Sequence, residues 1–305
     1  MYFTRQALEQ ASPAEVSDCR SARFRPFDIV ADLGCSIGGD TLALAAAAFT
    51  IGIDLDPLRL SIAQANAQML DLADKITFLQ GDLTESLPLS PNPSPLSPDI
   101  ALFFDPARRA DGRRIFSVTD YRPPLSIVKD WLPRFPAMGV KISPGVNLAE
   151  LRSYDAEVEF VSLRGELKEA VLWFGPLKTA YRRATVLPGT HTLVADGAAD
   201  QVIDEPRAYL YEPDPTVLRA GLVRTLGAQL GAAQLDPDIA YLTADQQVET
   251  PFARVWAVED WFPFGLKRLR TYLRERKVGQ VVVKKRGSPL QPEVLIRDLR
   301  LMGDQ

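Results

Sequence analysis

Over the first 176 residues, short apolar runs alternate with longer mixed segments. Phe27, Ile29, Val30, Ala31 and Leu33 form one such run, which predicts a strand over 27–33 that is covered on both faces. Similar runs predict strands at 50–54, 75–80, 99–106 and 137–143. Helix formers occupy 38–48, 57–70 and a stretch near 124–134. Such alternation predicts a mostly parallel sheet with helices on both faces. VEFVSL (158–163) and EAVLWFG (169–175), joined by the turn RGELK, predict an antiparallel hairpin that closes the sheet. LPLSPNPSPLSPD, 87–99, holds five prolines and is expected to be a surface loop. Residues 1–23 predict short helices, with Ser12 as N-cap, Pro13 at the first helical position and Glu15 closing a capping box.

The polar residues at the strand ends carry the candidate chemistry. After the first strand comes the turn of FDIVADLGCSIGGD, 27–40, where Gly34, Gly38 and Gly39 let a ligand approach the backbone. A strand, glycine turn and helix start place free N–H groups and the positive helix end at the carboxyl edge of a sheet, which predicts a nucleotide-cofactor loop. The next strand ends in Asp54, 22 residues beyond Asp32, the spacing at which an acid holds a ribose diol. KITFLQGD ends in Asp82 and DIALFFDP in Asp105, so four successive strands finish in a carboxylate. The N-terminal helices are expected to lie against this side of the sheet.

The series DLGCSIGG, GIDLD, QGDL and FFDPA resembles the motif order of class I S-adenosylmethionine-dependent methyltransferases over roughly residues 24–176. The resemblance implies that Asp32, Gly34, Cys35, Ser36 and Gly38 form the cofactor loop. It also implies that Asp54, with Leu55 beside it, meets the ribose and that Asp82 or Leu83 contacts the adenine. An NAD fingerprint wants glycine where this chain has Ser36, and the methyltransferase pattern usually has glycine there too. A serine adds a side chain at close approach, with a hydroxyl able to bond the cofactor. Methyl transfer asks mainly for alignment, so Asp105, Pro106 and Arg108 are the candidate catalytic residues, with Asp105 orienting an amine or hydroxyl. Amino-group enzymes of the class usually read Asn/Asp-Pro-Pro-aromatic, whereas Ala107 and Arg108 stand here. Uracil carbon-5 chemistry is rejected, because KISPG offers no nucleophilic cysteine. The loop that follows supplies Arg108, Arg109, Arg113, Arg114 and Arg122, read either as forks for phosphate or as a solvated loop paired with its own acids.

Composition changes the picture in one place. At 305 residues and 46% hydrophobic, the chain suffices for two packed domains. Its net charge of −4 is uneven, with twelve Lys/Arg against six Asp/Glu from residue 251 onward. Two cysteines, Cys19 and Cys35, and the single His191 argue against disulfide scaffolds, zinc sites and histidine triads, so no metal is expected. No apolar run reaches membrane length and the amino terminus lacks a signal-peptide core, and the sparse cysteines make a reducing cytoplasm the expected location.

From residue 179 strand-like and helix-like segments alternate without a glycine loop. YLYEPDPTVLRAGL, GLKRLRTYL and VGQVVVKKRG, together with DPARR, resemble a bacterial methyltransferase family with a C-terminal THUMP-like domain. That resemblance implies an RNA substrate. The family usually carries more helical sequence before Tyr2-Phe3-Thr4 and after the last helix, which implies a short or truncated member. Lys267, Arg268, Arg270, Arg274, Arg276 and Lys277 share one predicted helix, and Lys284, Lys285 and Arg286 a predicted strand end. The cluster suits a polyanion, or a solvated helix whose buried stripe is Leu266, Leu269, Tyr272 and Leu273. The expected organisation is α/β: a helical segment over 1–23, a doubly wound, mostly parallel seven-stranded methyltransferase sheet over 24–178, and a smaller α+β THUMP-like basic domain over 179–305. The expected function is S-adenosylmethionine-dependent methylation of RNA. A catalytically silent cofactor- or RNA-binding module and a methyltransferase for small molecules or proteins remain the alternatives.

Overall fold

The computed structural model describes residues 2, 11–85, 87–89, 99–107, 109–110, 113–114, 117–195, 197, 200, 202–285 and 288–303, with backbone alone at 109–110 and 113–114. The described residues divide into two compact units, one within 1–198 and 214–226, the other within 199–213 and 227–305.

The first unit opens with helix α1 (Ala14–Ser21) and is built on β1 (Ile29–Leu33), α2 (Gly39–Leu44), β2 (Phe49–Asp54), α3 (Pro57–Met69), β3 (Ile76–Gln80) and β4 (Ile100–Phe104). Two-residue strands β5 (Arg109–Ala110) and β6 (Arg113–Arg114) pair with each other, followed by the short α4 (Val128–Trp131) and β7 (Met138–Ile142). Then come β8 (Glu157–Leu163), β9 (Glu166–Phe174), β10 (Arg182–Leu187) and β11 (His191–Val194). The sheet order is β11-β10-β8-β9-β7-β4-β1-β2-β3. β1, β2, β3, β4 and β7 are parallel, and β9 runs antiparallel between β7 and β8. The β8–β9 turn is Arg164-Gly165 alone, both at positive φ, the geometry that matches strand twist in a two-residue hairpin. Phe24, Phe103 and Trp173 pack at the centre of the sheet, with the Phe103 ring 6.2 Å and the Trp173 ring 5.6 Å from that of Phe24.

Several expectations need correction. The sheet has nine strands and runs past residue 178, because β10 pairs in parallel with β8 and β11 pairs with β10. Nothing in the composition near 178 interrupts the chain, so strand pairing decides the boundary. Helix α2 stops at Leu44 rather than near 48, although alanines follow. The chain must turn there for Phe49 to meet Ile29 in register. The helix expected near 124–134 shrinks to a 3₁₀ turn, Leu125–Ile127, and α4. Ser12 does not cap α1, whose cap position is Pro13, and its hydroxyl donates instead to Glu169 at 3.2 Å. Helix α5 (Pro215–Ala220), capped by Asp214, belongs with the first unit. Its Arg219 donates to the carbonyls of Pro144 and Val146 in the loop after β7, at 2.9 and 2.6 Å.

After α6 (Val223–Leu230), the second unit holds β13 (Ala233–Asp236), β14 (Ile239–Ala244) and β15 (Ala253–Ala257), with β12 (Tyr209–Pro213) drawn from upstream. They form an antiparallel sheet of order β13-β14-β12-β15. Helices α7 (Leu266–Glu275) and α8 (Pro292–Leu299) follow. The run Val281–Lys285 is not a strand: among the described residues no strand pairs with it, and Val282 is 85% exposed. Among the described residues, no helix is long and apolar enough to cross a membrane.

Candidate active site

The parallel strands bring their acidic carboxyl ends to one edge of the sheet. Gly34, just past β1, has φ +82°, and a Cβ there would lie 3.3 Å from the Asp105 carbonyl at the end of β4. Gly38, at the start of α2, has φ +87°, with Ala63 of α3 3.2 Å from where its Cβ would be. Both positions need glycine for conformation and for space. Between them Ser36 takes φ +51°, a left-handed conformation that costs a non-glycine residue roughly 1–2 kcal/mol. Its N–H donates to Asp54 Oδ2 at 2.8 Å, which offsets that strain.

The loop N–H groups differ from expectation. Those of Gly34 and Cys35 both donate to the Ile53 carbonyl, at 2.8 and 3.0 Å, and that of Gly38 to Cys35. The loop therefore spends these donors on its own shape. Asn66 on α3, fully buried, holds it further by donating to the Ile37 carbonyl at 3.1 Å. The Cys35 thiol is buried, and burial pushes its pKa up, so it stays protonated.

Asp32 and Asp54 occupy different settings. Asp32 is buried, accepts from Thr41 Oγ1 at 2.5 Å, and has its pKa pushed up to about 7, first by burial and then by Asp40. Asp54, at the end of β2, takes one backbone N–H on each oxygen, from Ser36 at 2.8 Å and from Asp56 at 2.9 Å. A carboxylate has about four acceptor positions, so a diol could still bond here. Leu55 beside it is 60% exposed, while Leu83 is buried. Asp82 accepts from the N–H and hydroxyl of Thr84 at 2.8 and 2.6 Å, which lowers its pKa.

At the end of β4 the structure adds a partner that sequence reasoning missed. Lys141 of β7, 3% exposed, places Nζ 2.7 Å from Asp105 Oδ2 and 3.4 Å from Asp40 Oδ2. Asp40 also takes the Ser17 hydroxyl at 2.8 Å and pairs with Arg20, whose other fork pairs with Glu169. The Arg20 guanidinium stands 4.6 Å over the Phe103 ring. Five charges thus alternate in sign: Glu169, Arg20, Asp40, Lys141 and Asp105. Burial alone would raise the pKa of Asp40, but Arg20 and then Lys141 hold it well below the usual carboxylate range. Burial would lower Lys141, yet Asp105 and Asp40 raise it above the ordinary lysine value. Asp105 is the partly open end of the row, with its side chain 25% exposed. The available signal was Lys141, Glu169 and Asp40 as charged residues inside or beside apolar elements. Which charges would meet was not readable.

Pro106 is buried, so it shapes the chain rather than facing a substrate. Arg108 lies outside the described residues, as does Arg286. The arginine loop is closed at its base by Ala107 and Arg122, which exchange backbone hydrogen bonds of 3.0 and 3.1 Å.

The basic cluster of the second unit is not uniform. No residue of α7 is buried, so Leu266, Leu269, Tyr272 and Leu273 form only a half-buried stripe. Arg270 and Arg274 donate to the carbonyls of Asp298 and Arg300 at the end of α8. Lys267, Arg268, Lys284 and Lys285 are exposed, and Lys284 pairs with Glu212.

A sheet with a reversed strand between its fifth and sixth parallel positions, acids at the ends of β1 to β4 and a glycine loop after β1 defines a methyltransferase. Residues 30–98 match the methyltransferase domain family, and residues 253–305 match the THUMP domain-like family. S-adenosylmethionine-dependent methyltransferases from two strains of Mycobacterium tuberculosis are 35% identical to this chain over 308 residues, covering 99% of it and 82% of each relative. The crystal structure of a putative methyltransferase from Porphyromonas gingivalis is 25% identical, with a TM-score of 0.80 over 99% of this chain and 78% of that one. The chain belongs to this family of S-adenosylmethionine-dependent methyltransferases, with a THUMP-like C-terminal domain.

Proposed function

We propose that the enzyme transfers the methyl group of S-adenosylmethionine to a hydrogen-bearing nitrogen or oxygen of RNA. The observation that carries the acceptor side is Asp105, paired at 2.7 Å with buried Lys141 at the carboxyl ends of β4 and β7. Ligands of open α/β sheets bind at that edge. The bound cofactor supplies an electrophilic methyl on a sulfonium. Asp105 accepts a hydrogen bond from the acceptor N–H or O–H and orients it, Lys141 fixes the carboxylate so that little alignment is lost to rotation, and as the new N–C or O–C bond forms and the C–S bond breaks the acceptor's proton leaves by way of Asp105 to solvent. Asp54 would hold the ribose hydroxyls, Leu55 and Leu83 would bound the adenine with Asp82 beside them, and the turn from Gly34 to Gly38 would follow the methionine portion. The glycine φ values and the tight spacing at Gly34 and Gly38 fit that role.

RNA as substrate class rests on charge and kinship. Residues 266–286 hold nine Lys/Arg against one acid, within the THUMP-like segment. A polyanion suits such a surface.

The test is to incubate purified full-length protein with methyl-tritiated cofactor and total bacterial RNA. Ribonuclease-sensitive label is expected, and Asp105→Ala should abolish it while binding the cofactor normally in isothermal titration. Label that appears only in protein or small molecules would overturn the RNA reading, and parallel loss of cofactor binding would put Asp105 in the cofactor pocket.

A further inference from the structure

Two arginines stand three residues apart at the start of the first unit, Arg20 on α1 and Arg23 just beyond it. Each lies over an aromatic ring of the sheet, Arg20 at 4.6 Å from the centre of Phe103 and Arg23 at 4.7 Å from that of Trp173. Each also pairs with two carboxylates, Arg20 with Asp40 and Glu169, Arg23 with Glu157 and Glu159. What lies beyond those carboxylates separates them. Glu157 takes Arg183 at 2.7 Å and the N–H groups of Thr179 and Ala180 at 2.8 and 2.9 Å, so its bonds end in the chain that enters β10. Asp40 leads instead to Lys141 and through it to Asp105.

The two oxygens of Asp40 are divided. Oδ1 takes Arg20 and, at 2.8 Å, the Ser17 hydroxyl, both from α1. Oδ2 takes Lys141 at 3.4 Å, near the outer limit of a hydrogen bond. The same Nζ is 2.7 Å from Asp105 Oδ2, the length of a strong charge-assisted bond. Asp40 and Asp105 thus compete for one ammonium, and Asp105 wins because α1 neutralises Asp40 from the other side. The orientation of Arg20 is fixed twice over: its second arm is set on Glu169, and its face lies on Phe103, two residues before Asp105. Apolar residues of similar volume often stabilise a core as well as buried ion pairs do. Stability alone therefore does not call for five charges in a row, whereas fixed geometry at the partly open carboxylate does.

We propose that Arg20 is a positioning residue for methyl transfer: by occupying Asp40 it directs Lys141 to Asp105, and so holds that carboxylate in place for the acceptor. This rests on the reading of Asp105 as the group that orients the acceptor. It goes beyond that reading by making α1, which precedes the sheet in sequence, part of what sets the reacting geometry. Without Arg20, Oδ1 of Asp40 keeps the Ser17 hydroxyl but no counter-charge, and Asp40 draws Lys141 away from Asp105.

The test uses the full chain and methyl-tritiated cofactor, with turnover followed on whichever acceptor fraction of a bacterial extract, RNA, protein or small molecule, the wild-type protein labels. Arg20→Met should lower kcat about a hundredfold, the scale of a misplacement of about 1 Å, with cofactor affinity in isothermal titration as in wild type. Arg23→Met is the control for lost packing and charge: it should lower the melting temperature but leave kcat unchanged. Removing the competitor as well, in Arg20→Met with Asp40→Asn, should recover kcat roughly tenfold, because Lys141 then has Asp105 as its charged partner. In crystals of Arg20→Met, Lys141 Nζ should lie nearer Asp40 than Asp105. Arg20→Lys keeps a charge but cannot span Asp40 and Glu169; it carries the test if Arg20→Met does not fold, and its kcat should lie below that of wild type. Wild-type kcat in the Arg20 variants, a loss matched by Arg23→Met, or no recovery with Asp40→Asn would overturn the inference. If Asp105→Ala is inactive while the Arg20 variants are not, only this inference falls; if Asp105→Ala still turns over, the reading of Asp105 falls with it. No label in any fraction would overturn both.

Discussion

The two units use positive charge in opposite ways. In the first, Arg20 and Lys141 are 4% and 3% exposed, and Asp40, Asp105 and Glu169 occupy their donors. In the second, Arg268 and Arg276 lie at the surface against rings. A buried pair costs desolvation and returns fixed geometry, whereas an exposed cation costs little and remains able to meet a ligand. The contrast separates charges fixed inside a sheet from charges left at a surface.

The strongest way to break this contrast is to remove the central buried cation. Lys141→Met leaves two carboxylates without it and should destabilise the first unit by about 3–5 kcal/mol, read by thermal or urea unfolding. Adding Asp105→Asn should recover part of the loss, since less charge is then stranded. Full stability in Lys141→Met would mean that the row of charges does not organise the site.

Next in size is the pH dependence set by Asp32. Folded Asp32 keeps its proton up to about pH 7, whereas the unfolded chain releases it near 3.8. The folded state thus binds the extra proton between those values, so stability should fall as pH rises through that window and level off above it, by on the order of 1.4 kcal/mol per unit at most. Asp40, with its pKa lowered, gives the opposite slope, but only below 3.8. Asp32→Asn should flatten the fall between pH 4 and 7, and an unaltered profile would assign it to another group.

A smaller effect is expected at Asp54, the acid proposed to hold the ribose. Asp54→Ala should weaken cofactor binding by about 1.5–3 kcal/mol in isothermal titration, the worth of hydrogen bonds to a charged group. Asp54→Asn should lose less, because an amide oxygen can still accept one of the two loop N–H groups. Unchanged affinity in both would move the ribose site elsewhere.

The smallest difference sharpens the second half of the comparison. Arg270→Gln should cost the second unit about 1 kcal/mol in unfolding by removing a bond to the end of α8, where Arg268→Gln should cost nothing measurable. Equal costs would mean that the two arginines are not sorted into structural and presented roles.

The methyltransferase sheet was legible because its signals are local. Buried parallel strands are continuous apolar runs, and four of them announce their carboxyl ends with Asp32, Asp54, Asp82 and Asp105. The hairpin was equally plain from two strands and a short turn. β10 and β11 were assigned to the wrong unit because a strand's sequence does not say which edge it will join. The C-terminal helix was recognised as basic, but its arginines look alike in sequence, and only packing against α8 and the rings divides them.

By itself, then, the sequence determined the order of the elements, the glycine turn, the strand-end acids and the basic character of the C-terminal segment, since each follows from neighbours a few residues apart. Tertiary structure alone decided that Lys141 would stand 2.7 Å from Asp105, that Arg20 would join Asp40 to Glu169, and that the loop's N–H groups would be spent on Ile53 and Asp54. Those partners are up to 149 residues apart, and which buried charge neutralises which depends on strand order and burial.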